Sequence, residues 1–286
     1  AVAPVSIAFS RHAERLLELE RARVAYGAGR GAIPLHALKP DPRHFPLDAF
    51  RRSLSRVLQE GGPELLTYGD QQGYLGLREV LAERLRVHGV LVGPESIVLC
   101  QGASQGIALS LRLFADTDTA VAVEEPTYPN ALLAIAALGL RAIPVPMRAG
   151  GADLDTLDRV LARPDVRAFY TIPTFHNPMG ISTGLPHRKE LLALAARHGK
   201  AVIEDAYEMD LRYAGRPVPT LLGLDEDGIV VQLLSFSKSL FPGVRAGAIV
   251  ARGRHVDALL ALRHAADLRG ALPLQAALAD FRRSGA

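Results

Sequence analysis

The sequence predicts a three-layer α/β/α fold built on a mostly parallel, seven-stranded sheet. Three observations predict it. After Pro94, short apolar runs alternate with stretches of helical period, the pattern of a parallel sheet covered on both faces. The chain has 286 residues, 49% of them hydrophobic, which is enough for a large core. Polar or special residues recur where the runs end and helices begin, and in open α/β sheets ligands sit at those strand ends.

In chain order, residues 11–23 are rich in Arg, Glu, Leu and Ala and predict a helix, which Gly27, Gly29 and Gly31 break before Pro34. Residues 1–34 are therefore expected to be an arm or linker, and 35–286 the domain. Pro40, Pro42 and Pro46 predict an extended lead-in, and the spacing of Leu47, Phe50, Leu54, Val57 and Leu58 predicts a helix. A glycine-rich loop over 68–74 precedes a helix with Leu77, Val80, Leu81 and Leu85 on one face. Strands are expected over 96–100, 119–124, 141–145, 167–172, 201–204, 229–234 and 246–250. Helices are expected over 105–114, 130–138, 154–162, 186–198 and, last, 255–267.

Composition excludes several classes. No apolar run approaches the ~20 residues of a membrane helix, and residues 1–10 lack a basic segment followed by a signal-like core, so a cytoplasmic protein is expected. The single cysteine, Cys100, lies in an apolar run and reads as a small buried hydrophobe. The nine histidines fall singly, without the paired spacing of zinc ligands, and no metal is expected. A net charge of +3 over this length is weak evidence for nucleic acid binding.

The chemistry is concentrated at the strand ends. Ser235-Phe236-Ser237-Lys238 closes one apolar run with a lysine among small hydroxyls, and Arg245 follows after Pro242-Gly243 force a turn. Two hydroxyls and a guanidinium make a phosphate seat, and a lysine beside it suggests a phosphorylated aldehyde held as a Schiff base. Pyridoxal phosphate is the common cofactor of that kind. Gly102-Ala103-Ser104-Gln105 opens a helix whose free amides suit an anion. Tyr128, between Pro126 and Pro129, is placed to stack on a planar ring. Asn177, in Asn177-Pro178-Met179-Gly180, offers a donor to a phenolate oxygen, and so does Tyr207. Asp205 ends a buried run, where a carboxylate is costly unless it meets a cation or donor such as a protonated pyridine nitrogen. Singly, each has a plain reading: a surface lysine, a packing tyrosine at the rim, an ordinary turn, a helix N-cap for Asp205. Their joint order along one sheet edge is what the plain readings leave unexplained.

With Tyr68, Gly73 and Tyr74 added, these motifs resemble those of the class I and II aminotransferases of the fold-type I pyridoxal phosphate family over nearly all of 35–280. The resemblance implies that Lys238 forms the Schiff base and acts as the catalytic residue, and that Asp205 partners the ring nitrogen. It implies that Tyr207 and Asn177 partner the ring oxygen and that Tyr128 stacks. The phosphate would be held by the Ala103 and Ser104 amides, Ser235, Ser237 and Arg245. It further implies cis peptide bonds at Glu125-Pro126 and Asn177-Pro178, and a homodimer in which Tyr68 reaches the neighbouring active site. Met179 and Ala206 depart from the family's usual residues. The family's C-terminal small domain, with its carboxylate-clamping arginine, is expected to be largely missing, so the sequence leaves the substrate unnamed.

The resemblance implies transfer of an amino group between an amino acid and a 2-oxo acid. β-Elimination and decarboxylation share the same cofactor residues. Residues 236–245, 212–217 and the arm over 11–31 also resemble the MocR type of GntR-family transcriptional regulator, in which such a domain binds the cofactor with little or no turnover. In that alternative a DNA-binding domain would precede residue 1.

Overall fold

A computed structural model describes residues 7–24, 38 and 40–285. The seven expected strands form as β1 (Ile97–Cys100), β2 (Ala120–Glu125), β3 (Arg141–Arg148), β5 (Val166–Thr171), β6 (Ala201–Asp205), β7 (Val230–Ser235) and β8 (Gly247–Val250). An eighth corrects the expected count. Gly151–Ala152, strand β4, pairs antiparallel with the end of β3 at Met147↔Ala152, and two residues are too few to leave a periodic signal. The sheet order is β1-β8-β7-β6-β5-β2-β3-β4. β3, β2, β5, β6 and β7 are parallel, whereas β8 is inserted antiparallel between β7 and β1.

Strand alternation separates two cores. Val121, Val123, Ala168, Tyr170, Ile203, Val231, Leu233 and Ile249 face one side, with helices α4 (Ala103–Phe114), α5 (Pro129–Ala137) and α9 (Arg254–Ala266). Ala120, Ala122, Phe169, Val202, Val230, Leu234, Ala248 and Val250 face the other, under α3 (Leu75–Val87), α6 (Leu154–Leu161), α7 (Leu185–Arg197), α8 (Leu221–Leu224) and α10 (Leu272–Arg283). These are the three layers the sequence predicts. The N-terminal helix α1 (Arg11–Val24) and the helix α2 (Leu47–Gly61) also form as expected. The expected glycine break at 27–31, Pro34 and the domain start at residue 35 lie outside the described residues.

Two helices, α8 and α10, go beyond the expectation that the last helix ends near 267. In α10, Pro273 sits in the first turn, where a missing N–H costs nothing. Gln275, Ala276, Ala277, Leu278, Ala279 and Phe281 are all buried, so α10 is enclosed over most of its surface. It packs Phe281 on Phe50 of α2 at 6.1 Å between ring centroids, and Phe50 meets Phe241 edge-on at 5.0 Å. That aromatic row fixes the turn between β7 and β8.

Beneath the sheet edge runs a buried polar ladder, each member no more than 1% exposed: Glu124, Thr171, Glu204 and Gln232. The Thr171 hydroxyl donates to Glu124 at 2.6 Å, and Gln232 Nε2 donates to Glu204 at 2.9 Å. The Leu221 and Leu222 amides at the start of α8 also donate to Glu204, at 2.8 and 3.0 Å. Burial raises the Glu204 pKa and these donors oppose it. These bonds tie β2 to β5 and β6 to β7 near the strand ends, all from one face of the sheet. Among the described residues, no helix is long and apolar enough to cross a membrane.

Candidate active site

Asp205 ends β6 on the face of α4 and α5 and is 2% exposed. Its Oδ2 accepts a 2.6 Å hydrogen bond from the hydroxyl of Tyr170, which is fully buried on the neighbouring strand β5. Its Oδ1 is buried with no hydrogen-bond partner. Burial raises the Asp205 pKa to about 6; Tyr170 opposes this, whereas Glu204 and Glu124 add to it. A carboxylate so placed lacks one donor or one cation.

Two residues on, the half-buried Tyr207 donates its hydroxyl to the Phe175 carbonyl at 3.0 Å, joining the end of β6 to the loop that carries Asn177. Burial, with Glu208 next, pushes the Tyr207 hydroxyl pKa upward. Tyr128 stands half-buried as the N-cap of α5, with its hydroxyl 2.8 Å from Asn130 Nδ2. Both peptide bonds expected to be cis, Glu125-Pro126 and Asn177-Pro178, are cis.

A second group gathers at the start of α4. Gly102 is its N-cap, with φ +83°, and has no side chain to accept from the first-turn amides of Ala103 and Ser104. The absence of a Cβ matters, because one built there would stand 2.9 Å from Arg245 Nη2. Arg245, in the left-handed region at φ +47°, aims its guanidinium at this turn and donates to the Gln101 carbonyl at 3.2 Å. Ser235 lies opposite Gly247 across the β7–β8 pair, and its hydroxyl accepts from the Ser237 amide at 3.3 Å. Helix amides, the Ser235 hydroxyl and a guanidinium are thus gathered at one end of the sheet, a donor set that suits an anion.

Lys238, half-buried on the turn after β7, donates to the Leu38 carbonyl. Burial lowers its pKa, and Glu208 opposes the shift. Tyr68 stands apart at 80% exposed. Its loop is firmly held nonetheless: Arg269 donates to the Gly69 carbonyl at 2.8 Å, Arg263 to that of Gln71 at 2.7 Å, and the Tyr74 amide to Gln275 at 2.8 Å. Cys100 is buried, and burial pushes its thiol to about 12, so it packs as the small hydrophobe expected.

Sequence reasoning missed the supports. Tyr170 is one. Glu124 and His176 are another pair, 3.1 Å apart and each 1% exposed in the side chain, tying the turn before Tyr128 to the turn before Asn177. Arg188, fully buried on α7, donates to Pro173 O at 2.7 Å, Thr174 Oγ1 at 2.8 Å, Thr183 Oγ1 at 3.0 Å and Pro219 O at 2.9 Å, and so grips both ends of the Asn177 loop. Arg188→Ala is expected to cost at least ~3 kcal/mol, because several buried acceptors lose a charged donor at once. The denaturation midpoint measures it, and an unchanged midpoint would show that the loop holds itself.

The family model described as aminotransferase class I and II matches residues 39–281. The 2-aminoadipate transaminase of Thermus thermophilus is 35% identical over 232 residues, 80% of this chain and 57% of that protein. "Probable rhizopine catabolism regulatory protein MocR" of Rhizobium meliloti is 31% identical over 254 residues, 88% of this chain and 51% of that protein. A crystal structure of LysN, alpha-aminoadipate aminotransferase from Thermus thermophilus complexed with N-(5'-phosphopyridoxyl)-L-leucine, superposes with a TM-score of 0.85 at 31% identity. That likeness covers 97% of this chain and 70% of the other. The chain spans about half the length of the curated relatives it matches.

Proposed function

This chain belongs to the class I and II aminotransferase family, and from that premise we propose that it transfers an amino group between an amino acid and a 2-oxo acid with pyridoxal 5'-phosphate. The carrying observation is the buried, unpartnered Oδ1 of Asp205. A protonated pyridine nitrogen is the donor it lacks, and contact with that cation would favour the ionised carboxylate despite its burial. The other parts fit as well. The Ala103 and Ser104 amides, Ser235, Ser237 and Arg245 would hold the phosphate, Tyr207 and Asn177 the ring oxygen, and Tyr128 a ring face.

When bound, pyridoxal phosphate supplies an electron sink for the bonds at the amino acid's α-carbon. Lys238 Nζ would take the proton from the amino acid's α-carbon and deliver it to a different carbon rather than back to that one, as amino-group transfer requires, a role suited to an amine whose pKa is lowered by burial. Asp205 holds the proton on the ring nitrogen. Tyr128 and the turn of Asn177 limit where the ring can lie, and the Glu124–His176 pair keeps those two turns at a fixed spacing.

Incubating the full chain with pyridoxal phosphate, reducing with borohydride and mapping the labelled peptide tests the reading. Label at Lys238, together with multiple turnovers between an amino acid and a 2-oxo acid, is the expected result. No label, or label elsewhere, refutes it. Label at Lys238 without turnover, in a full-length protein that binds DNA in a salt-sensitive way, would favour the second reading, an effector domain of the MocR kind, for which the likeness to the Rhizobium regulator speaks. Gly102→Ala adds a check on the phosphate seat. Its Cβ crowds Arg245 and its φ is unfavourable for alanine, so cofactor affinity should fall roughly tenfold.

The same proposal covers the assembly and the setting. Residues 35–286 form the large domain, Tyr68 is held out on its loop to reach a second copy's site in a homodimer, and the protein works in the cytoplasm. Sedimentation of the wild type as a monomer at working concentration would remove the dimer from it.

A further inference from the structure

Tyr170 is one of the largest fully buried side chains of the described residues, and its hydroxyl is spent on one atom, Oδ2 of Asp205, at 2.6 Å. The bond crosses from β5 to β6 on the face that carries Tyr128 and Tyr207. Burial and the adjacent Asp205 push the Tyr170 pKa far up, so the hydroxyl keeps its proton and is the donor in its bond to Asp205. The Asp205 carboxylate thus has one oxygen occupied and one unmatched. A rotation of the carboxyl group would forfeit a short bond made out of contact with water, so the unmatched oxygen is fixed in direction.

Resting on the cofactor reading above, we propose that Tyr170 is a positioning residue for the reaction. Its hydroxyl selects Oδ1 as the oxygen offered to the ring nitrogen, and by stabilising the carboxylate it keeps the shared proton on the nitrogen and off the oxygen. No bond to carbon changes in this step; one proton is shared between a nitrogen and an oxygen, and Tyr170 sets which atom holds it. The other groups around Asp205 work in both directions. Glu204 on its own strand and Glu124 on β2 favour the protonated acid, the Tyr207 amide favours the carboxylate, and Tyr128 lies close enough to act on Tyr170. Among these groups Tyr170 alone opposes the two carboxylates through a side-chain hydrogen bond.

Tyr170→Phe removes one oxygen and leaves the ring. In the cofactor-free protein, carbon-13 NMR of labelled aspartate follows the Asp205 titration, which should move upward by roughly one pH unit, a tenfold change. This readout needs no cofactor, so it is independent of whether the chain is an aminotransferase. In the loaded protein, kcat should fall about tenfold with KM for the amino acid little changed, since the lost effect belongs to the transition state. With deazapyridoxal phosphate, which has carbon in place of the ring nitrogen, the variant and wild type should become equal. An unmoved titration overturns the proposal, as does an equal loss with the deaza analogue, which would mark Tyr170 as a packing residue. If Tyr170→Phe does not fold, 3-fluorotyrosine placed at position 170 makes the hydroxyl a stronger donor in nearly the same shape. The titration should then move downward, and no movement would overturn the proposal. If the titration moves but wild type takes no pyridoxal phosphate, the bond is real, the cofactor reading fails and the positioning role fails with it.

Discussion

Replacing Lys238 by alanine is expected to lower amino-group transfer by roughly 10⁴-fold, the upper range for a positioned acid–base group and before any loss of covalent attachment. The amine is half-buried, and desolvation lowers its pKa, which favours the neutral, nucleophilic form relative to an exposed lysine. Its hydrogen bond goes to the Leu38 carbonyl, on an exposed residue, so removing it leaves no buried orphan. Stability should therefore change by less than about 1 kcal/mol while chemistry disappears. Lys238→Arg separates charge from nucleophilicity: it keeps a cation and should be as inactive as alanine. Substantial turnover in either variant would sink the assignment of Lys238.

Asp205→Asn is the second large effect, and it has opposite signs in the loaded and empty protein. In the empty protein the Asp205 pKa is raised from 3.8 to about 6. Between those values the folded state binds more protons than the unfolded state, so stability contributed by the protonated acid is present below pH 3.8 and is lost as pH rises through 6. A difference of about 2 pKa units corresponds to about 3 kcal/mol. Above pH 6 the wild-type empty protein carries that destabilisation, and the asparagine variant, which can still accept from Tyr170, does not. The empty variant should accordingly unfold at higher denaturant than wild type at pH 7, with the difference shrinking toward pH 4. Turnover should fall by roughly 10²–10⁴-fold, because a neutral amide cannot hold a proton on the ring nitrogen. Pyridoxal phosphate should stabilise wild type more than the variant. Equal stability of the two empty proteins across this pH range would mean that Asp205 is better solvated than its 2% exposure implies.

The sheet was legible from sequence because parallel strands buried on both faces must be continuous apolar runs, and β2, β5, β6 and β7 each begin within a residue of the expected start. The candidate site was legible for a different reason. A glycine cap at Gly102, a lysine after β7, a carboxylate ending β6 and an arginine after Pro242-Gly243 are poor choices for packing, so their recurrence at strand ends points to a ligand. What escaped was everything defined by register between distant strands. Tyr170 reads as one more apolar strand residue until β5 is laid beside β6. Glu124 stands next to Glu125 in sequence, yet the alternation of β2 buries one and exposes the other. Arg188 lies in an ordinary amphipathic helix, and nothing local distinguishes it from the exposed Lys189 beside it.

The antiparallel placement of β8 between β7 and β1 has a consequence for how the protein acquires its site during synthesis. Gly102 follows β1, whereas Ser235 and Arg245 lie at the two ends of the connection between β7 and β8, so the two halves of the anion seat are separated by more than a hundred residues of chain and meet only when β8 docks. Loop closure over that length is slow relative to the local βα units between β2 and β6, which can assemble first. A nascent chain emerging from the ribosome thus has most of its sheet before it has anywhere to hold a phosphate. On the proposed reading of the site, binding of a phosphate would therefore depend on the docking of β8 against β1.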